Sequence, residues 1–249
     1  MKELNKFQDA RDKRYNDISR KQPAIISLVF PLICCLYFFH KKNEGIETVE
    51  YVIEIILSFG AIVPALLFFY TFVMREISIL CIEKPMNYLS GKPVVNMMLS
   101  NNSTFEEHLK KQIKQYVKER MKIDLNNSEL LDNGTEGEKY KRIINHVAGQ
   151  IREIERVRDN AILFEFNCTY GFFRNLTGGF LFNIFMCFIL LWINKYFELD
   201  LSENLLMVSL IFLAILFFIC LLFTRRSSTR YAERLYNVFM SKCINKLEE

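Results

Sequence analysis

Four uncharged apolar runs punctuate the chain: Ala24–Phe39, Ile55–Met74, about Leu176–Ile193, and Leu205–Phe223. Each is roughly 16–20 residues, or about 24–30 Å of helix, against a bilayer core of about 30 Å. Charge is confined to the pieces between them, which is the pattern of a polytopic membrane protein. Pro64 falls inside the second run, where a membrane helix tolerates a kink. A cleaved signal peptide is the rival reading of the first run. The charged lead-in, the lack of an A-x-A site and the immediate His40-Lys41-Lys42 weigh against it.

Between the second and third runs lies a polar insert with helical periodicity. Phe105, Leu109, Ile113, Tyr116, Val117 and Met121 recur on one face of a predicted helix over Thr104–Ile123, capped by Ser103 or Thr104. A polar loop follows at Asp124–Gly137. A second helix is predicted over Glu138–Phe166, with a stripe of Tyr140, Ile144, Val147, Ile151, Ile154 and Ala161. That stripe packs on the first helix of the same subunit or forms an intersubunit coiled coil. Tyr231, Leu235, Val238, Phe239 and Leu247 mark a C-terminal amphipathic helix. Residues 1–22 read as an amphipathic arm or a solvated tail. Pro85–Ser100 reads as irregular.

The predicted fold is an all-α membrane protein in which two transmembrane hairpins flank a cytosolic helical insert. Its segments are an N-terminal arm (1–22), a first hairpin (23–84), the insert (85–166), a second hairpin (167–224) and a C-terminal helix (225–249). Lys and Arg crowd the N-terminal arm, the residues after Met74, the approach to the third run and the tail. By the positive-inside rule both termini are cytoplasmic and both hairpin loops lie outside.

The chemistry of the side chains narrows function mainly by exclusion. A net charge of +4 is too small to argue for nucleic acid. The seven cysteines form no CxxC pair and no Cys/His cluster, so neither a disulfide framework nor a zinc site is expected. The histidines His40, His108 and His146 are dispersed, although His108 and His146 meet if the two insert helices pair. Ser90-Gly91-Lys92-Pro93 resembles a phosphate loop superficially, but it lacks the first glycine, and Pro93 removes an amide. Ser27, Ser58, Thr71, Asn183 and Ser209 are polar residues within the spans and make no nucleophile–base pair. No catalytic residue, cofactor or metal is therefore expected, and the chain does not read as an enzyme.

Two constellations remain. Glu47, Glu50 and Glu54 gather at the outer end of the first hairpin, as an acidic ring at the mouth of a multi-subunit pore or as ordinary loop carboxylates. The junction Ala161–Gly179 carries Tyr170, Gly171, Arg174, Asn175, Gly178 and Gly179. Its aromatics and arginine suit a headgroup-level anchor, and its glycines suit a hinge that tilts the third span.

Two hairpins split by a helical insert resemble the bacterial four-transmembrane effectors of antiphage defence. The lead-in ARDKRYNDISRKQ, Ala10–Gln22, is similar to the Arg/Tyr/Gln-containing helix that precedes the first span in that group. The resemblance implies a homo-oligomer in the bacterial inner membrane that permeabilises or depolarises the bilayer. The insert would receive the trigger, either a nucleotide messenger or a cytosolic partner protein. A non-conducting sensor or scaffold that recruits a cytosolic partner is the alternative.

Overall fold

The structure is a computed structural model that describes residues 2–42, 64–103, 105–126, 137–197 and 201–244. Helix is the one kind of regular structure among these residues, with no strand. Three stretches, Pro64–Asn96, Ala161–Phe197 and Glu203–Ile244, are long and apolar enough to cross a membrane. The first apolar run forms helix α2, Gln22–Lys42. Glu47, Glu50 and Glu54, and the first half of the second run, lie outside the described residues.

The chain divides into two compact units. One is built from residues 1–85 and 168–224. Its N-terminal helix α1, Lys2–Asn16, passes through a π-turn, Asp17–Lys21, directly into α2. Nothing in the intervening sequence breaks a helix, and the widened turn lies just before Pro23. A second π-turn, Ser78–Glu83, joins α3 (64–77) to α4, Lys84–Ser90, and lies just before Pro85. Proline clashes with the carbonyl four residues back, and a π-turn gives that carbonyl room. The segment after Pro85 is therefore helical to Ser90, where the sequence suggested irregular chain.

The backbone of this unit is α9, Ala161–Phe197. Ser19 and Ser27 contact Asn175 and Asn183 in the same order, so α2 runs parallel to α9. Tyr70 meets Asn183 and Glu83 meets Arg174, so α3 and its extension run antiparallel to it. The helix α10, Glu203–Phe239, is also antiparallel, with Thr224 beside Thr177 and the Leu206 carbonyl accepting from Cys187 at 3.4 Å. Asn194 ties the two helices at their connection: its Nδ2 donates to the Leu201 carbonyl at 3.1 Å and its Oδ1 accepts from the Leu201 amide at 2.9 Å.

The other unit is residues 86–167 and 225–249. After the short α5 (Pro93–Asn96), helices α6 (Glu107–Met121) and α7 (Glu138–Glu153) bury Ile113, Val117, Tyr140, Ile144, Val147 and Ile151 in one core with Leu235, Tyr236, Val238 and Phe239 of α10. The α7 stripe is thus consumed within the subunit. Residues 232–244 contribute to this core, and Leu247 of the expected C-terminal helix lies outside the described residues. The expected helix Glu138–Phe166 is broken twice. Ile154 turns extended (ψ 122°) before the short α8, Glu155–Arg158, and this places Val157 in the core without exposure. Asn160 then caps α9, its Oδ1 accepting from the Leu163 amide at 2.9 Å. Helix α6 starts at Glu107, three residues later than expected, because Phe105 turns into the core edge-to-face with Tyr236, 5.8 Å between centroids. At its other end Lys122 adopts a left-handed conformation (φ 61°) and stops it.

One charged residue lies inside this core. Lys110, 2% exposed, donates from Nζ to the carbonyls of Leu99 (2.8 Å) and Asn102 (2.6 Å), and to Glu107 Oε1 at 3.0 Å. Glu107 is solvent-facing, and its carboxyl is held below the usual range by the Lys110 hydrogen bond. A buried ammonium with three acceptors is satisfied, and removing it takes a donor from two carbonyls. Lys110→Met lowers the unfolding free energy of the full chain in detergent by about 2–3 kcal/mol, read by thermal circular dichroism. Glu107→Gln leaves it nearly unchanged. Equal effects of the two variants would contradict this account.

Candidate functional site

The polar side chains of the 1–85 and 168–224 unit gather on one face of α9. The sequence there repeats at a spacing of eight: Gly171-Phe-Phe-Arg-Asn175, then Gly179-Phe-Leu-Phe-Asn183. The facing helix repeats as well, with Ser19 four residues before Pro23 and Ser27 four before Pro31. In a regular α-ladder the Ser19 and Ser27 carbonyls take the N–H groups of residues 23 and 31, and proline has none. Asn175 Nδ2 donates to the Ser19 carbonyl at 2.5 Å, and Asn183 Nδ2 donates to the Ser27 carbonyl at 2.7 Å. Two asparagines on one helix therefore supply amide hydrogens at the places where the neighbouring helix lacks them.

Each asparagine is accompanied by a glycine that permits the approach. A Cβ on Gly171 would stand 2.9 Å from the Ser19 side chain and 3.0 Å from the Tyr15 hydroxyl. One on Gly179 would stand 2.5 Å from Ser27 Oγ and 2.6 Å from Met74 Sδ. One on Gly178 would collide with Ser78 Oγ and sit 2.7 Å from the backbone carbonyl of Met74. Small residues that let helix backbones approach are the usual means of packing apolar helices. The serines complete the seam. Ser19 Oγ donates across to the Cys168 carbonyl at 3.1 Å, and Ser27 Oγ donates back to the Pro23 carbonyl at 2.6 Å. The Tyr70 hydroxyl donates to Asn183 Oδ1, which leaves both ends of that fully buried amide engaged.

At the α1 end of the seam lies a charged cluster. Arg174 Nη1 donates to Glu83 Oε2 at 2.8 Å, with the two side chains only 15% and 28% exposed. The guanidinium also lies over the Tyr170 ring, 5.5 Å from its centroid. Glu83 closes the π-turn after α3, so this pair fastens that turn to α9. Arg174 Nε and Asn175 Oδ1 are buried with no hydrogen-bond partner among the described residues.

Of the residues singled out in the junction, the structure brings all six to this seam. Tyr170 and Arg174 turn toward Glu83, Gly171 and Asn175 face α1 and the π-turn that follows it, and Gly178 and Gly179 face α3 and α2. The glycines lie within an uninterrupted helix, because the chain breaks earlier, at Asp159-Asn160. They are contact points between helices, and their substitution tests packing as much as hinge motion. His108 and His146 do not meet: His108 contacts Glu106, and His146 contacts Gln150. Among the described residues no group of three or more His, Cys, Asp or Glu is placed to hold a metal. Sequence reasoning had noted Ser27 and Asn183 singly. The signal that joins them is the proline four residues after each serine.

No protein-family model, curated protein or solved structure matches the chain.

If Asn183 replaces the missing proline amide, a residue 31 that has its own N–H makes it partly redundant. Asn183→Ala alone destabilises the protein in detergent by about 1–3 kcal/mol. In a Pro31→Ala background the loss is smaller by about 1 kcal/mol, measured as a double-mutant cycle in thermal melts. Strict additivity would exclude the proposed pairing. Gly178→Ala destabilises by about 1–3 kcal/mol, because a backbone carbonyl cannot rotate out of the way. An unchanged melting temperature would show that α3 is free to shift.

Proposed function

We propose that the chain is a subunit of an oligomeric effector in the bacterial inner membrane, one that permeabilises or depolarises the bilayer on receipt of a signal. It has four spans in two hairpins and both termini in the cytoplasm. The parallel pairing of α2 with α9, each followed by an antiparallel partner, supports that layout. It is the relation two successive hairpins entering from one side would have. The Lys/Arg-rich ends of the spans support the orientation.

The observation that carries the multi-subunit reading is the consumption of polar groups inside the bundle. Asn183, Tyr70 and Ser27 bond to one another, and the Thr177 and Thr224 hydroxyls lie 3.0 Å apart, each within 2.8 Å of a carbonyl of its own helix. Among the described residues a single copy thus offers ions no row of free polar groups through its interior. Conduction requires an opening between copies. The apolar face of α10 supplies a surface for that, with Val208, Ile211, Phe212, Ile215, Phe218 and Leu222 each more than half exposed.

The layout and the lead-in helix favour the antiphage-defence group, with a nucleotide messenger or partner protein acting on the 86–167 and 225–249 unit. Cells expressing the chain lose membrane potential after phage infection, followed with a voltage-sensitive dye, before lysis begins. Retained potential in infected cells whose membranes contain the protein would overturn the effector reading. A stoichiometric soluble partner recovered from those membranes would then establish the scaffold in its place.

A further inference from the structure

The 86–167 and 225–249 unit contains a small cavity of about 150 Å³ with a mixed wall: Ser90, Gly91, Asn96 and Asn102 on one side, Arg225 and Thr229 of α10 on the other, and Met86, Pro93 and Met97 as its apolar part. The first wall exists because Gly91 takes a left-handed conformation, φ +70°. A side chain there would also strike the Asn96 amide, whose Nδ2 would lie 2.9 Å from the added Cβ. Asn96 Nδ2 in turn donates to the Ser90 carbonyl at 2.6 Å, which closes the loop. Lys92 is drawn away, donating to Asn145 Oδ1 at 3.1 Å. No carboxylate lines the cavity, and its one charged group is Arg225, which makes no ion pair among the described residues. Hydroxyl and amide groups around a single unpaired guanidinium suit an oxyanion, above all a phosphate.

The size of the cavity and its place in the chain select the source of that phosphate. Ligand pockets for whole small molecules run to about 300 Å³ or more, so a nucleotide does not fit, whereas one phosphate group does. Arg225 follows Phe223, the last residue of the uncharged 205–223 run, by two positions. At about 1.5 Å per residue this puts it some 3 Å beyond the apolar boundary, at the depth of lipid phosphates. Next to the cavity on α4, Tyr88 and Leu89 are 90% and 81% exposed. An aromatic and an aliphatic side chain so exposed are covered at the headgroup–acyl boundary.

We propose that this cavity binds the phosphate of an anionic membrane phospholipid, with Arg225 as its charge partner and Ser90, Asn96 and Thr229 as polar walls. The site is independent of whether the assembled protein conducts. The test is thermal melting of the full chain in a neutral detergent, titrated with dioctanoyl phosphatidylglycerol, dioctanoylglycerol or inorganic phosphate. Phosphatidylglycerol raises the melting temperature at about tenfold lower concentration than dioctanoylglycerol, which has the same chains and no phosphate. Arg225→Gln removes that advantage, and Arg226→Gln, outside the cavity lining, keeps it. Native mass spectrometry shows one phosphatidylglycerol fewer per chain retained by Arg225→Gln. Equal responses of wild type and Arg225→Gln would overturn the site. Inorganic phosphate matching phosphatidylglycerol through Arg225 would overturn the lipid assignment.

Discussion

A carbonyl deprived of its helical partner in a water-free interior must find another donor, and the membrane-type unit is arranged around two such carbonyls. Pro23 and Pro31 take the N–H groups that Ser19 and Ser27 would use, and Asn175 and Asn183 replace them. Leaving a buried acceptor unmade costs about 1–3 kcal/mol, more than most single packing contacts contribute. Both replacements have to be made together, because both asparagines lie on one rigid helix with the spacing of the two serines. This fixes the register of α2 on α9, its parallel direction and the distance between their axes. The glycines then follow as necessities. Only a residue without a side chain lets the amides of α9 come within 2.5–2.7 Å of a neighbouring backbone.

Where α3 sits is settled by the same seam. Tyr70 reaches the free end of the Asn183 amide, Met74 and Ser78 fill the space against Gly178 and Gly179, and Glu83 closes on Arg174. The ion pair is partly buried, so its desolvation offsets much of its Coulomb attraction. Its contribution is better described as positional: it holds the π-turn after α3 at one level of α9. In the other unit Lys110 does comparable work by gathering two loop carbonyls and one carboxylate around a single ammonium.

The apolar runs, the insert between them and the buried stripes of α6 and α7 were legible because periodicity and charge segregation are properties of many residues at once. Val117, Ile144 and Ile151 are buried where the helical pattern put them. The breaks at Ile154 and Asp159-Asn160 were not legible, since charged and apolar positions continue across them without a glycine or proline. The seam was visible only in fragments. Gly171, Gly178 and Gly179 suggested looseness when taken as isolated glycines, yet each is a place where another helix presses close. Asn183 and Ser27 were weighed as reactive groups. Their actual relation runs through a backbone atom, which side-chain pattern does not display. The interruption after Arg158 also moves the start of α9 ahead of the junction, and the aromatic residues there become part of a continuous helix.

The two serine–asparagine contacts each join residues 156 positions apart. The ribosome therefore releases α2 long before the helix that completes it exists. During that interval its proline-deprived carbonyls have no partner from α9, and α2 has strong reason to keep company with water, with the translocation machinery or with its own hairpin. The seam therefore closes only after most of the protein has been made.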